Sequence, residues 1–186
     1  LMRILLVKLS SLGDVVHTLP VVQDILTAMP NAQIDWVVEK AFAPLLGQAK
    51  GLHRVIPCEL RRWRKTFWAT PTRKAWQQFK ADLQVEAYDA VIDLQGLTKS
   101  AVVARLARLA AGGKRYAMAN RTDGSAYEAP SRWLADVAIA LEPHLHAVAR
   151  GRHLVAGALQ QEPAAGVDFG LKVPMAPMIR AQIAPK

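Results

Sequence analysis

The sequence predicts an α/β fold, a Rossmann-like doubly wound parallel sheet. Two observations carry this: short apolar runs rich in Val, Ile and Leu recur along the chain, and segments with apolar residues at helical spacing separate them. Strands alternating with helices require crossover connections, and a strand that is apolar on every position belongs to a sheet covered on both faces. The bulk properties agree. The chain has 186 residues, of which 52% are hydrophobic and 21% charged, and its mean hydropathy is +0.10. That suits one domain with a real core, and it excludes a disordered or fibrous chain.

The first strand is read at Arg3 to Val7. Lys8-Leu9-Ser10-Ser11-Leu12-Gly13-Asp14 interrupts it with turn-forming residues, and a helix follows with Val15, Leu19, Val22 and Leu26 on one face, Asp14 at its N-cap and Pro20 within its first two turns. Further strands are expected at Ile34–Val38, Arg54–Pro57, Tyr88–Leu94 and, more weakly, Lys114–Ala119, with helices near 41–49, 72–86, 98–111, 131–141 and 143–160. Residues 2–162 are read as the domain. Residues 163–186, with four prolines and two glycines, read as a linker or tail toward a further domain. No apolar run is long enough to span a bilayer or to form a signal-peptide core, which predicts a cytoplasmic protein.

Charge narrows the partners. Twenty-four Lys and Arg against fifteen Asp and Glu give a net charge of +9, so a polyanion is expected: nucleic acid, an anionic membrane or a phosphorylated substrate. The lone Cys58 excludes an internal disulfide and reads as a packed side chain. His17 falls near the expected crevice. His144, His146 and His153 have no metal-ligand spacing, so no metal and no cofactor are expected in this chain.

Three segments could carry chemistry. In open α/β sheets ligands bind at the carboxyl ends of the strands, which singles out the loop Lys8–Asp14. There Asp14 either caps the helix or serves as a general base, while Ser10, Ser11 and the Gly13 backbone could receive an anion. Ser-Ser-Leu-Gly matches neither the dinucleotide fingerprint nor the Walker loop. The second segment, Arg61-Arg62-Trp63-Arg64-Lys65, continues to Phe67, Trp68, Arg73, Lys74 and Trp76. It reads as a loop after a strand that binds an anionic glycolipid, a membrane or a nucleic acid, or else as a solvated helix with Trp63 and Trp68 in the core. The third, Asp93–Ser100, leaves the fourth strand at the same edge; Gln95, Thr98 and Lys99 could grip a sugar, or the motif is structural, with Gly96 permitting a close turn. Arg121 lies in an expected turn over residues 121–124.

Taken in order, Met2–Pro20, Asp35–Glu39, Arg54–Pro57 with Arg61–Lys65, and Tyr88–Ser100 resemble the N-terminal half of the bacterial lipopolysaccharide heptosyltransferases, glycosyltransferases of family 9, and most closely their heptosyltransferase I branch. The resemblance spans roughly residues 2 to 160, with His146–Val148 and Arg150 resembling an interdomain helix. It implies the acceptor-binding domain of a GT-B enzyme that moves L-glycero-D-manno-heptose from its ADP-sugar to the first Kdo of Kdo2-lipid A, with inversion, at the cytoplasmic face of the inner membrane. It further implies Asp14 as general base, with Ser11 and Gly13 beside it. Arg61, Arg62, Arg64 and Lys65 would bind acceptor carboxylates or phosphates, and Gln95 and Lys99 would lie on the acceptor side. Arg121 stands where the family commonly has an Arg-Glu pair, but here Thr122 follows it. By the same resemblance the chain would be inactive alone, since the nucleotide-sugar domain would lie beyond residue 186. The competing expectation is a basic α/β module that binds nucleic acid or an anionic membrane without catalysis.

Overall fold

A computed structural model describes residues 1–172. Six strands form one fully parallel sheet: β1 (Arg3–Val7), β2 (Gln33–Glu39), β3 (Leu52–Cys58), β4 (Tyr88–Asp93), β5 (Leu109–Met118) and β6 (Val137–Ile139), in the spatial order β3-β2-β1-β4-β5-β6. The order reverses between β1 and β4. Chain leaving β1 crosses to one face and chain leaving β4 to the other, so a crevice opens at their carboxyl ends.

Helices cover both faces. On one lie α1 (Leu12–Thr18), α2 (Pro20–Ala28), α3 (Ala43–Gly47) and α8 (Ala147–Leu159); their side chains pack with Ile4, Leu6, Trp36 and Ile92. On the other lie α4 (Leu60–Lys65), α5 (Thr70–Leu83) and α6 (Thr98–Leu106), packed on Leu5, Val7, Val37 and Val91. Neighbouring residues of β1 and β4 thus feed opposite cores, which is why Ile4–Val7 and Ala90–Ile92 read as unbroken apolar runs. The buried Asp35 within β2 is satisfied by Arg54 at 3.1 Å and by the Tyr88 hydroxyl at 2.6 Å.

The structure corrects several expectations. The first helix is two, because Pro20 has no N–H to continue α1 and instead occupies the first turn of α2. The N-cap of α1 is Ser11, and Asp14 is its third helical residue. Arg61–Lys65 is not a loop: it is the helix α4, with Trp63 buried and Trp68 exposed. The helix expected at 98–111 ends at Leu106. β5 begins at Leu109, disguised by Ala-Ala-Gly-Gly, where Gly113 packs so closely on the Tyr88 carbonyl that a Cβ would stand 2.5 Å from it. The helix expected at 131–141 is a short α7 (Pro130–Trp133) followed by β6, a strand too brief to show a period.

Residues 163–172, the start of the expected linker, run back along the α2–α3 side. Arg152 of α8 grips Asp24 of α2 through two bonds of 2.7 and 2.9 Å and also holds the carbonyls of Ala164 and Gly166. Beyond them, Ala49 and Leu171 form an antiparallel bridge. The rest of that segment, 173–186, lies outside the described residues.

Candidate functional site

The crevice between β1 and β4 is built by two loops clipped together. Asp93, the last residue of β4, is buried, and its Oδ1 accepts the N–H groups of Gln95 at 2.9 Å and Gly96 at 3.1 Å. Gly96 completes this turn at φ +74, a conformation other residues resist, and a Cβ there would run into Met118. The turn aims the Gln95 side chain across the crevice, where its oxygen accepts the N–H groups of Leu9 and Ser10 at 3.1 and 3.3 Å. From the other side Lys8 donates from Nζ to the Leu94 carbonyl at 3.2 Å, and the Trp36 indole donates to the Lys8 carbonyl at 3.0 Å.

Asp14 sits over this frame. Its Oδ2 accepts both the Ser11 N–H at 3.0 Å and the Ser11 hydroxyl at 2.9 Å, while among the described residues Oδ1 accepts no hydrogen bond. Partial burial works against the charge of the carboxylate, but the Ser11 bonds and the nearby Lys8 and His17 outweigh it and hold the Asp14 carboxyl below its ordinary range. Asp14 is therefore ionised at neutral pH and has one oxygen free to take a proton. Capping thus occupies Oδ2 and leaves Oδ1 of the same carboxylate unengaged among the described residues.

Gly13, beside it, has nothing within 4 Å of the place a Cβ would occupy. Lys8 is itself buried, which pulls its ammonium down, with Asp14 and Asp93 countering. Arg150 of α8 completes the group: it is buried, donates to the Asp123 carbonyl at 2.8 Å, leaves its Nε without a partner, and feels the charge of Asp14. Asp93 carries the opposite perturbation, its carboxyl pushed up to about 6 by burial in spite of the Gly96 and Gln95 N–H groups. Among the described residues its Oδ2 has no hydrogen-bond partner.

The cationic residues gather elsewhere, on the α4–α6 face of the same edge. A groove of about 470 Å³ runs between α4, α5 and α6, with Leu60, Trp63, Phe67, Trp76 and Val102 in its walls and Arg61, Arg64, Arg73 and Lys99 among its lining residues. Trp63 is held by edge and tilted contacts to Trp76 and Phe79 at 6.0 and 5.5 Å between ring centroids. Arg62 and Lys65 face a neighbouring hollow with Arg61, Glu39, Lys40 and Glu59, where Arg62 pairs with Glu59 at 2.9 Å. Burial holds the Glu39 carboxyl above its usual range, against the Arg61 N–H and the charge of Lys99.

The sequence-predicted residues therefore fall into three groups. Ser11, Gly13, Asp14 and Gln95 meet at the crevice. Arg61, Arg62, Arg64, Lys65 and Lys99 form the basic face next to it. Arg121 belongs to neither; it is an exposed residue beside the turn Thr122–Ser125. Sequence reasoning missed Lys8, Glu39 and Arg150 as participants. The first two carried a signal, a charged residue directly at the carboxyl end of an apolar strand, whereas Arg150 lies mid-helix and only the docking of α8 brings it to the crevice. Cys58 is buried and its thiol is pushed up to about 12, as fits a packing residue. Among the described residues no three His, Cys, Asp or Glu side chains converge as a metal site would require, and no helix is long and apolar enough to cross a membrane.

Six parallel strands with helices on both faces and a crevice at the switch point define a Rossmann-like α/β domain. Solved structures agree: the chain superposes on E. coli heptosyltransferase WaaC with ADP at a TM-score of 0.82 and 37% identity, covering 91% of this chain and 51% of that one. With E. coli ADP-heptose lps heptosyltransferase II, at 20% identity and a TM-score of 0.64, it shares the fold. Residues 76–179 match the model of glycosyltransferase family 9 (heptosyltransferase), and the chain belongs to that family. It is 43% identical over 177 residues to lipopolysaccharide heptosyltransferase 1 of Pseudomonas aeruginosa, covering 91% of this chain and 46% of that protein. To the protein of the same name from Escherichia coli K12 it is 42% identical over 162 residues, covering 85% and 48%. The chain thus spans about half the length of the curated relatives it matches.

Proposed function

We propose that this domain is the acceptor side of a heptosyltransferase of lipopolysaccharide inner-core assembly, working at the cytoplasmic face of the inner membrane. The donor is ADP-L-glycero-D-manno-heptose and the acceptor is the first Kdo of Kdo2-lipid A. The observation that carries the reading is the divided Asp14 carboxylate, one oxygen fixed by Ser11 and the other open to the crevice. The donor half of the reading is supported by an E. coli relative, 39% identical, whose structure holds ADP-2-deoxy-2-fluoro heptose.

In the proposed reaction the Kdo hydroxyl gives its proton to Asp14 Oδ1 as its oxygen bonds to the anomeric carbon of heptose. The bond from that carbon to the ADP oxygen breaks in the same displacement, and ADP leaves with the electron pair. Attack from the face opposite the leaving group inverts the centre. The Ser11 bonds hold Asp14 in place, and with the charges of Lys8 and His17 they keep it ionised. Arg61, Arg62, Arg64, Lys65 and Lys99 hold the carboxylates and phosphates of the acceptor, whose charge complements the +9 of the chain. Nothing in the comparisons favours the nucleic-acid reading.

The test is titration calorimetry of the chain with deacylated Kdo2-lipid A at two salt concentrations. Saturable binding that Arg61→Ala/Arg64→Ala weakens at least tenfold is expected. Unchanged affinity in that variant, or tighter binding of DNA than of the acceptor, refutes the assignment.

A further inference from the structure

Between residues 60 and 81 the chain has seven cations and no carboxylate: Arg61, Arg62, Arg64, Lys65, Arg73, Lys74 and Lys80. Glu59 and Asp82 stand just outside this stretch. Glu59 pairs with Arg62, and among the described residues Arg61, Arg64, Lys65, Arg73 and Lys74 join no ion pair. At the middle of this field, in the connection between α4 and α5, Phe67 and Trp68 are 67% and 66% exposed. Their rings meet edge-on, 5.2 Å apart at 76°, and so shield each other while most of both faces water. Phe67 is one lip of the apolar groove; Trp68 lies outside its lining.

Two adjacent large aromatics held in water on a rigid two-helix corner, with cations on both flanks, have the chemistry of an interfacial anchor. The rings enter the zone between headgroups and acyl chains while the cations meet anionic headgroups. A nucleic-acid surface would reward the cations and stack single bases on the rings, but it would leave unused the apolar wall of Leu60, Val102 and Val103 beside Phe67, which an acyl chain would cover. Charge and apolarity together fit a lipid surface better.

We propose that the Phe67–Trp68 corner inserts into an anionic phospholipid bilayer, with Arg61, Arg64, Lys65, Arg73 and Lys74 as its headgroup contacts. The inference rests on the acceptor-side reading, for it places the mouth of the basic groove at the membrane surface where a lipid-linked acceptor would lie. The corner acts on bulk lipid, so it works without any acceptor present.

The test is co-sedimentation of the 186-residue chain with vesicles of phosphatidylcholine and phosphatidylglycerol that contain no lipid A. The chain is expected to bind vesicles with 30% anionic lipid and to release from them in high salt. Phe67→Ser/Trp68→Ser is expected to lower partitioning on the order of tenfold, as loss of two interfacial aromatics implies. Both positions are solvent-facing, so the variant folds, and circular dichroism checks this. Lipids brominated near the headgroup should quench a fluorescence component that Trp68→Phe removes and Trp133→Phe leaves. Equal partitioning of the double variant, or quenching unaffected by Trp68→Phe, overturns the proposal. So does capture of the chain by single-stranded RNA in preference to the anionic vesicles. Because the vesicles carry no acceptor, failure here leaves the calorimetric result with Kdo2-lipid A intact, and failure there leaves this one.

Discussion

The buried carboxylate at the end of β4 gives the sharpest test of how the crevice is balanced. Asp93 titrates near 3.8 when solvated and at about 6 in the folded domain, because burial disfavours its charge more than two N–H donors favour it. A native state that binds the proton more tightly than the unfolded chain is most stable below the unfolded value and loses stability as pH rises through the native one. The full shift corresponds to about 3 kcal/mol, of which about 2 kcal/mol is lost between pH 4 and pH 7, since the unfolded carboxyl is already more than half titrated at pH 4. In Asp93→Asn the amide oxygen can still accept the Gln95 and Gly96 N–H groups, while the NH2 takes the place of the orphaned Oδ2 at a cost of about 1–3 kcal/mol that does not vary with pH. The difference in unfolding free energy, wild type minus variant, should therefore fall by about 2 kcal/mol from pH 4 to pH 7 in urea titrations. Parallel stability curves for the two proteins over that range would refute the reasoning, whichever protein is the more stable.

Other perturbations reach the remaining parts. Arg152→Ala strands the buried Asp24 carboxylate and frees the Ala164 and Gly166 carbonyls, which should cost about 3–5 kcal/mol, lower Tm by on the order of 10 °C and speed proteolysis within residues 163–171. Asp14→Asn should leave affinity for deacylated Kdo2-lipid A within about threefold, yet slow heptose transfer by at least a hundredfold when the domain is grafted onto the remaining half of the E. coli relative; an active graft would remove Asp14 from the proposed chemistry. Gly96→Ala forces a side chain into positive φ and against Met118, so a loss of about 1–2 kcal/mol is expected, read by thermal denaturation.

The alternation of strands and helices was legible because β1, β2 and β4 are buried on both faces and so written mostly in apolar residues, broken inside only by Asp35 in β2 and Asp89 in β4. β5 and β6 were not. β5 opens with small residues chosen for close approach to β4, and β6 has three residues, fewer than any periodicity needs. Asp14 could be picked out since its distance from the end of β1 is a local property of the chain. Which oxygen caps and which stays free could not, because that depends on Ser11 turning its hydroxyl inward. Arg150 is the plainest case: it lies 142 positions from Lys8, and although the resemblance marked it as part of an interdomain helix, only packing of α8 against α1 makes it part of the crevice.

The crevice is close to neutral as a group, with Lys8 and Arg150 against Asp14 and Asp93, and the balance is uneven in a useful way. The Ser11 bonds and the charges of Lys8 and His17 outweigh burial and lower the proton affinity of Asp14, while burial raises that of Asp93. On the proposed reaction this keeps the two carboxylates in separate roles, one solvent-facing and ready to take the Kdo proton, the other locked in a turn and unable to reach a substrate. Once Asp14 accepts the proton its charge is gone, and Lys8 and Arg150 are left with Asp93 alone against them, a net charge of +1 in the group. Their field then favours the departing diphosphate, which gains negative charge at that moment. A base held low in proton affinity is thus no defect here: Lys8, a cation that weakens it as a base, is one that its protonation would release to stabilise the leaving group.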